Sequence, residues 1–419
     1  MQNIKIQTDI TEESYTNKKY FIIDFLYELD IIYYKKFLNG ILLISFIILI
    51  AINKLYYTNI YDLKSFKKYI RDCKKNIFYE RNKIYNKYPY IAVCLSALNM
   101  ENYIKKNLLS ILNQSFQDFE IIVVNDKSTD ETENIIHRIQ LEDDRVKLLS
   151  HSQNLGVYRS RIESIINAKS QFILLMDPDD MYLNENLLQI LYDYNIKNNL
   201  DIIEFTVYHQ FEGKNKIIFP DNDYETHNHK YLKNIISQPE LSEILYYIPG
   251  TKEYSHILCR NIWNKMIRRD IFIKTHKYIG KDYFNDFIIT ADDMIMNIIS
   301  YQFAKNYTNI NLPGYLYIIR KVSISRGDGD EKLMKIKALN YLSYFKLFYK
   351  YLQEYNKDRN FLYFEMRDLQ RFILYIKEKN MIPYITIQIN FIKKIIKDKH
   401  ISEKFKSYLN NILLLFMNK

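Results

Sequence analysis

The sequence predicts an α/β fold, a mostly parallel sheet flanked by helices. Three observations predict it. From about Tyr90 onward, apolar runs of strand length alternate with helical stretches. Of the 419 residues, 48% are apolar, enough for a substantial core. An acidic run, Asp177-Pro178-Asp179-Asp180, directly follows the apolar run Gln171–Met176, and the carboxyl ends of strands are where open α/β sheets place their ligand crevice.

The elements follow in order. Residues 1–36 are mixed and polar, with no recognisable signal peptide. Phe37 to Ile52 is an uncharged stretch of sixteen residues, flanked by Lys35, Lys36 and Lys54. A bilayer span needs roughly 17–25 residues. Leu55, Tyr56 and Tyr57 extend the stretch, because lysine snorkels and tyrosine suits the interface. The expectation is a single-pass transmembrane anchor at 37–57, with a buried helix as the alternative. Seven Lys and Arg follow the stretch closely and four precede it, which would keep the remainder cytosolic. Two glycosylation sequons, at Asn113 and Asn306, argue for the opposite side if used. Residues 58–88 read as a charged helical stalk.

The main domain, 89–328, opens with a strand at Ile91–Leu95 and a helix at Glu101–Asn113. A strand at Glu120–Val124 ends in Asn125-Asp126. Asp130 is placed to cap a helix through His137. Val146–Leu149 is a strand, Gly156–Ala168 a helix, and Gln171–Met176 the next strand. Residues 329–419 are helical and basic: 331–419 hold 18 Lys and Arg against 8 Asp and Glu, so this tail carries the whole net charge of +10. Such helices lie on anionic membrane, bind nucleic acid, or present a solvated face. Membrane is the expected partner and nucleic acid is not. Cys73, Cys94 and Cys259 form neither a disulfide framework nor a zinc site.

Three carboxylates within four residues repel one another, and a divalent cation is the usual remedy. Mg²⁺ and Mn²⁺ favour carboxylate oxygens and share them with substrate phosphates. The alternative is a solvated acidic turn capping the next helix. The absence of G-x-G-x-x-G excludes a dinucleotide oxidoreductase. Ser96-Ala97-Leu98-Asn99 carries no glycine, which argues against a sugar-phosphate nucleotidyltransferase.

The order of four segments resembles glycosyltransferase family 2. These are Ile91–Leu95 with Asn99, Glu120–Asp130, Asn154-Leu155-Gly156, and Asp177-Pro178-Asp179-Asp180. The resemblance covers roughly residues 90–325. It implies the GT-A nucleotide-sugar transferase fold and an inverting, non-processive enzyme, since no Q-x-x-R-W motif is present. By the same resemblance, Asp177 and Asp179 are the D-x-D that holds Mn²⁺ or Mg²⁺ against a diphosphate. Asp126 hydrogen-bonds the nucleotide base, commonly uracil, or else is a turn residue holding its own backbone. Asp180 braces or caps the loop. Asn99, Glu101 and Asp130 belong to the donor-binding set. Arg159 pairs with a phosphate or with a loop carboxylate. Trp263 offers a flat face to a sugar or sits in the core. Asn264 accompanies Lys265, which reaches the diphosphate or pairs with an acid. Asp292 and Asp293 form the acidic pair, with Asp293 as the general base, or they cap the helix that follows. Tyr315-Leu316-Tyr317 through Arg320 to Ser323-Ile324-Ser325 resembles the family's closing stretch.

Two departures stand out. Ser96 and Leu98 replace the usual Pro and Tyr, and Lys127 replaces the usual Gly. The expected partners are a nucleotide-sugar donor, UDP-linked by the resemblance, and a glycan, lipid or protein hydroxyl acceptor. The alternative is a degenerate binder or scaffold without turnover.

Overall fold

The structure, a computed structural model, describes residues 88–214, 216–218, 235–238, 241, 261–285, 287–320, 331–355, 357–358 and 382–417. The tail at 1–36, the expected anchor at 37–57, nearly all of the stalk at 58–88, and Ser323–Ser325 lie outside the described residues. Among the described residues no helix is long and apolar enough to cross a membrane.

Four strands form the parallel half of the sheet: β1 (Ile91–Ala97), β2 (Phe119–Asn125), β3 (Val146–Ser150) and β4 (Phe172–Met176). They lie in the order β3-β2-β1-β4, all parallel. Helices α1 (Ile104–Leu112), α2 (Thr132–Glu142) and α3 (Val157–Asn167) connect them. The strands are apolar without alternation because both faces are covered. Alternate residues serve two separate cores. Ala92, Cys94, Ile122, Ile173 and Leu175 pack on one face with Ile162 and Ile165 of α3. Ile91, Val93, Leu95, Ile121, Val123, Phe172 and Leu174 pack on the other with Ile104, Leu108 and Ile111 of α1. Each fully buried aliphatic side chain contributes roughly 1.5–3 kcal/mol relative to exposure.

Beyond β4 the sheet is mixed rather than mostly parallel. β5 (Met181–Tyr182) and α4 (Leu187–Asn198) precede β6 (Ile202–Phe211), β7 (Ile217–Ile218) and β8 (Ile236–Ser237). β9 (Lys265–Arg268) inserts antiparallel between β4 and β6. α5 (Arg269–Asn285) and α6 (Asp292–Phe303) then lead to β10 (Asn306–Ile319), which pairs parallel with β6 and antiparallel with β5. Lys265 lies opposite Glu204, and Met266 opposite both Leu174 and Ile203, in these two antiparallel ladders. α7 (Glu331–Glu354), α8 (Ile382–Ile396) and α9 (Glu403–Met417) extend the first core through Phe345, Phe348, Ile392 and Phe405.

Candidate active site

The register Ala97↔Asn125 and Leu95↔Met176 brings the carboxyl ends of β1, β2 and β4 to one edge. Asn99, Asp126 and Asp177 therefore emerge on the same rim. The loop after β4 is pinned from two sides. Asn107 Nδ2 on α1 donates to the carbonyls of Asp177 and Asp180, at 2.9 and 2.8 Å. Tyr315 Oη on β10 accepts the Asp177 N–H and donates to Asp180 Oδ2 at 2.8 Å, while the Ile318 N–H reaches Asp180 Oδ1 at 2.7 Å. Asp180 thus braces the loop. Burial, then Asp179 and Asp177, push its pKa well above the usual carboxylate range.

Asp177 and Asp179 are each held by an arginine. Arg161 Nη2 lies 2.6 Å from Asp177 Oδ1, and Arg320 Nε lies 2.6 Å from Asp179 Oδ2. Arg320 also sits over the Tyr103 ring at 5.0 Å. Burial and the charge of Asp177 raise the Asp179 carboxyl to about 6, against the pull of Arg320. Asp177 is 29% exposed and its second oxygen makes no hydrogen bond among the described residues. No group of three or more His, Cys, Asp or Glu among the described residues could hold a metal ion. The donor set here is two carboxylates, the number that suits an ion completing its shell with substrate phosphate and water.

Arg161 is the residue that sequence reasoning missed. It lies on the inward stripe of α3 with Tyr158, Ile162 and Ile165, so a charge on a buried helix face was the available signal. Its other nitrogen, Nη1, binds Asp292 Oδ2 at 2.7 Å, with both side chains buried. One guanidinium therefore ties the loop after β4 to the start of α6. Asp293 is beside it and, among the described residues, accepts only its neighbour's N–H, from Met294 at 2.9 Å. Burial, Asp292 and Asp177 push Asp293 up to about 7, and Arg161 opposes them. A partly buried carboxyl with that pKa suits proton abstraction near neutrality.

Asp126 is 2% exposed. Its Oδ1 takes the Leu155 N–H at 2.8 Å and lies 2.7 Å from His151 Nδ1, while Oδ2 takes the Gly156 N–H at 2.9 Å. Asp126 therefore holds the turn at Asn154-Leu155-Gly156, and among the described residues Oδ2 takes no donor besides the Gly156 N–H. Gly156 has φ +88°, and a Cβ there would lie 2.6 Å from the Ile288 carbonyl oxygen, so the turn needs glycine.

The remaining expected residues are tied to protein partners. Asn99 Oδ1 accepts the Thr129 N–H at 2.8 Å, and the Asn99 N–H donates to Ser128 Oγ at 3.0 Å. Asp130 accepts the Glu101 and Thr132 N–H groups, and Glu101 accepts the Glu131 N–H. These residues knit the loops after β1 and β2. Arg159 binds Glu163 at 3.0 Å rather than a loop carboxylate, a contact that belongs to Arg161. Trp263 is 6% exposed and stacks on Tyr315 and Tyr317, with centroids 4.4 and 5.7 Å away. Its core placement holds. Asn264 Nδ2 donates to the Phe205 carbonyl at 3.0 Å. Lys265 is fully buried and pairs with Glu204 at 3.2 Å, the acid directly opposite it across β9 and β6. It is bound to an acid of its own sheet.

A family model described as Glycosyl transferase family 2 matches residues 92–275. The glycosyltransferase GlyA of Streptococcus pneumoniae is 26% identical over 236 residues, which is 56% of this chain and 31% of GlyA. The GalNAc(5)-diNAcBac-PP-undecaprenol beta-1,3-glucosyltransferase of Campylobacter jejuni is 31% identical over 108 residues, 26% of this chain and 35% of that one. The chain thus spans about a third of the length of these relatives. Among solved structures, residues 1–349 of S. aureus TarS in complex with UDP superpose with a TM-score of 0.50 at 18% identity, covering 78% of this chain and 87% of that one. That likeness shows the fold.

Proposed function

Taking the chain as what residues 92–275 make it, a member of glycosyltransferase family 2, we propose that it moves a sugar from a UDP-linked donor to a hydroxyl acceptor with inversion. One observation supports the reading: Arg161 joins Asp177 to Asp292, so one guanidinium draws the D-x-D loop and the acidic pair at the start of α6 together. UDP is the nucleotide in the TarS complex. The Campylobacter relative's name describes a lipid-diphosphate glycan, which favours a lipid-linked glycan among the possible acceptors.

In this mechanism the acceptor hydroxyl attacks the anomeric carbon from the face opposite the diphosphate. Asp293 takes the hydroxyl proton as the new C–O bond forms. The bond to the diphosphate breaks, and its electron pair leaves on the phosphate oxygen. Asp126 offers its remaining acceptor position to the base. Arg161 binds Asp292 and limits the rise in the Asp293 pKa. Asp177 and Asp179 are the residues that would hold Mn²⁺ or Mg²⁺, and the chemistry such an ion supplies is neutralisation of the departing nucleoside diphosphate. The apolar segment 37–57 would anchor the enzyme at the membrane, where a lipid-linked acceptor resides.

The test is a melting-temperature panel of the full chain with several nucleotide sugars and Mn²⁺, since only a ligand of the folded state raises the transition. A selective rise with one UDP-sugar is expected, together with its hydrolysis or transfer. No rise with any nucleotide sugar would reject the reading.

A further inference from the structure

We propose that His151 is a positioning residue for the nucleotide pocket: its imidazolium, held between Asp126 and Glu163, fixes the carboxylate that reads the base. The proposal rests on the nucleotide-sugar reading above and adds a residue to it.

His151 directly follows β3, and its N–H donates to the Asn125 carbonyl at 2.9 Å, continuing the β2–β3 ladder. Its side chain is 8% exposed. Nδ1 lies 2.7 Å from Asp126 Oδ1 and Nε2 lies 2.8 Å from Glu163 Oε2. Carboxylates only accept, and a neutral imidazole has a single N–H. Both contacts are hydrogen bonds only when the ring carries two protons. Burial pulls the His151 pKa down, but the hydrogen bonds and charges of Asp126 and Glu163 outweigh it and raise it.

The clamp has a definite target. The Asp126 oxygen that meets His151 also takes the Leu155 N–H, and the other takes the Gly156 N–H. The rotation of this one carboxylate thus sets both the turn and the direction of the Oδ2 acceptor position that no described residue fills. The other charged groups around the ring are accounted for. Arg159 binds the second oxygen of Glu163 at 3.0 Å. Glu133 on α2 is engaged by Ser150 Oγ at 2.6 Å and by Asn125 Nδ2 at 2.9 Å. Lys127, next to Asp126, is exposed.

A raised histidine pKa means the two-bond clamp is complete below the ordinary value and is lost as pH rises through the raised one. Above it the ring keeps one proton, and one carboxylate faces a lone pair. Donor affinity therefore falls on the alkaline side.

The experiment is calorimetric titration of UDP into the full chain across the neutral to alkaline range, for the wild type, His151→Gln and Glu163→Gln. Losing a charge-assisted hydrogen bond should weaken UDP binding about tenfold in His151→Gln and flatten its pH dependence. With saturating donor, kcat should change little, because the effect is on binding. In Glu163→Gln, a partly exposed site that leaves Asp126 untouched, the affinity should begin to fall at lower pH, because one of the two groups that raise the histidine pKa is gone. Should His151→Gln not fold, Glu163→Gln decides alone. Wild-type affinity in His151→Gln, or an unmoved pH profile in Glu163→Gln, would overturn the positioning role while leaving the nucleotide reading intact. A wild type that binds no UDP at any pH would bring down both.

Discussion

Replacing Arg161 with Met removes the cation that holds the site together while preserving a long side chain for packing. Arg161 and Asp292 are 8% and 4% exposed at 2.7 Å, and Asp177 is 29% exposed at 2.6 Å. Stripping one partner from a buried ion pair costs about 3–5 kcal/mol, because the other charge is left uncompensated. Water can partly replace the arginine at Asp177 but not at Asp292, which places the loss near the lower end, about 3 kcal/mol. For a domain of this size that lowers the melting temperature by roughly 5–10 °C. Arg161 also opposes the rise of the Asp293 pKa, so the acid limb of the pH–rate profile should move to higher pH. Arg161→Lys should be intermediate, because a point charge cannot fork to two carboxylates. Thermal unfolding at acid and neutral pH, with a pH–rate profile, reads all of this. An unchanged melting temperature and an unmoved acid limb in Arg161→Met would refute the reasoning.

Other outcomes follow from the same geometry. Lys265→Met should cost about 3–5 kcal/mol by leaving Glu204 buried without its cation, and adding Glu204→Gln should recover much of it. Chemical denaturation of the single and double variants checks this. Gly156→Ala should lower both stability and donor affinity, because its Cβ meets the Ile288 carbonyl and its φ is +88°. Wild-type melting and donor titration in that variant would contradict the close approach. At Asp293 burial favours the protonated acid, so its contribution to stability is present below the ordinary aspartate pKa and lost as pH rises through about 7. Asp293→Asn should therefore leave the melting temperature unchanged at acid pH and raise it above neutrality.

The parallel half of the fold was legible because each strand is a short apolar run ending in a polar turn. The expected strands Ile91–Leu95, Glu120–Val124, Val146–Leu149 and Gln171–Met176 fall within a residue or two of β1 to β4. The mixed half was not, because β9 is a four-residue strand whose neighbours β4 and β6 are distant in sequence. The acids were legible in the sequence and their partners were not. Asp177 stood out in its acidic run, and Asp292 and Asp293 through the family resemblance, whereas Arg161 shows only once the fold sets its helix face against both. His151 was equally hidden, since its role depends on Asp126 and Glu163 meeting it from opposite sides. Trp263 and Lys265 carried two readings each, and burial decided between them. Side-chain type names what a residue can do, while packing determines which of those things it does.

The central claim is that Asp293 removes the acceptor proton in a cleft shared with Asp177 and Asp179. Its most direct test is transfer by Asp293→Asn, measured beside donor binding in the same samples. The account predicts donor affinity near that of the wild type with sugar transfer reduced by about 10²–10⁴-fold, the usual worth of a positioned base. Transfer at the wild-type rate in a folded, donor-binding Asp293→Asn chain would contradict it.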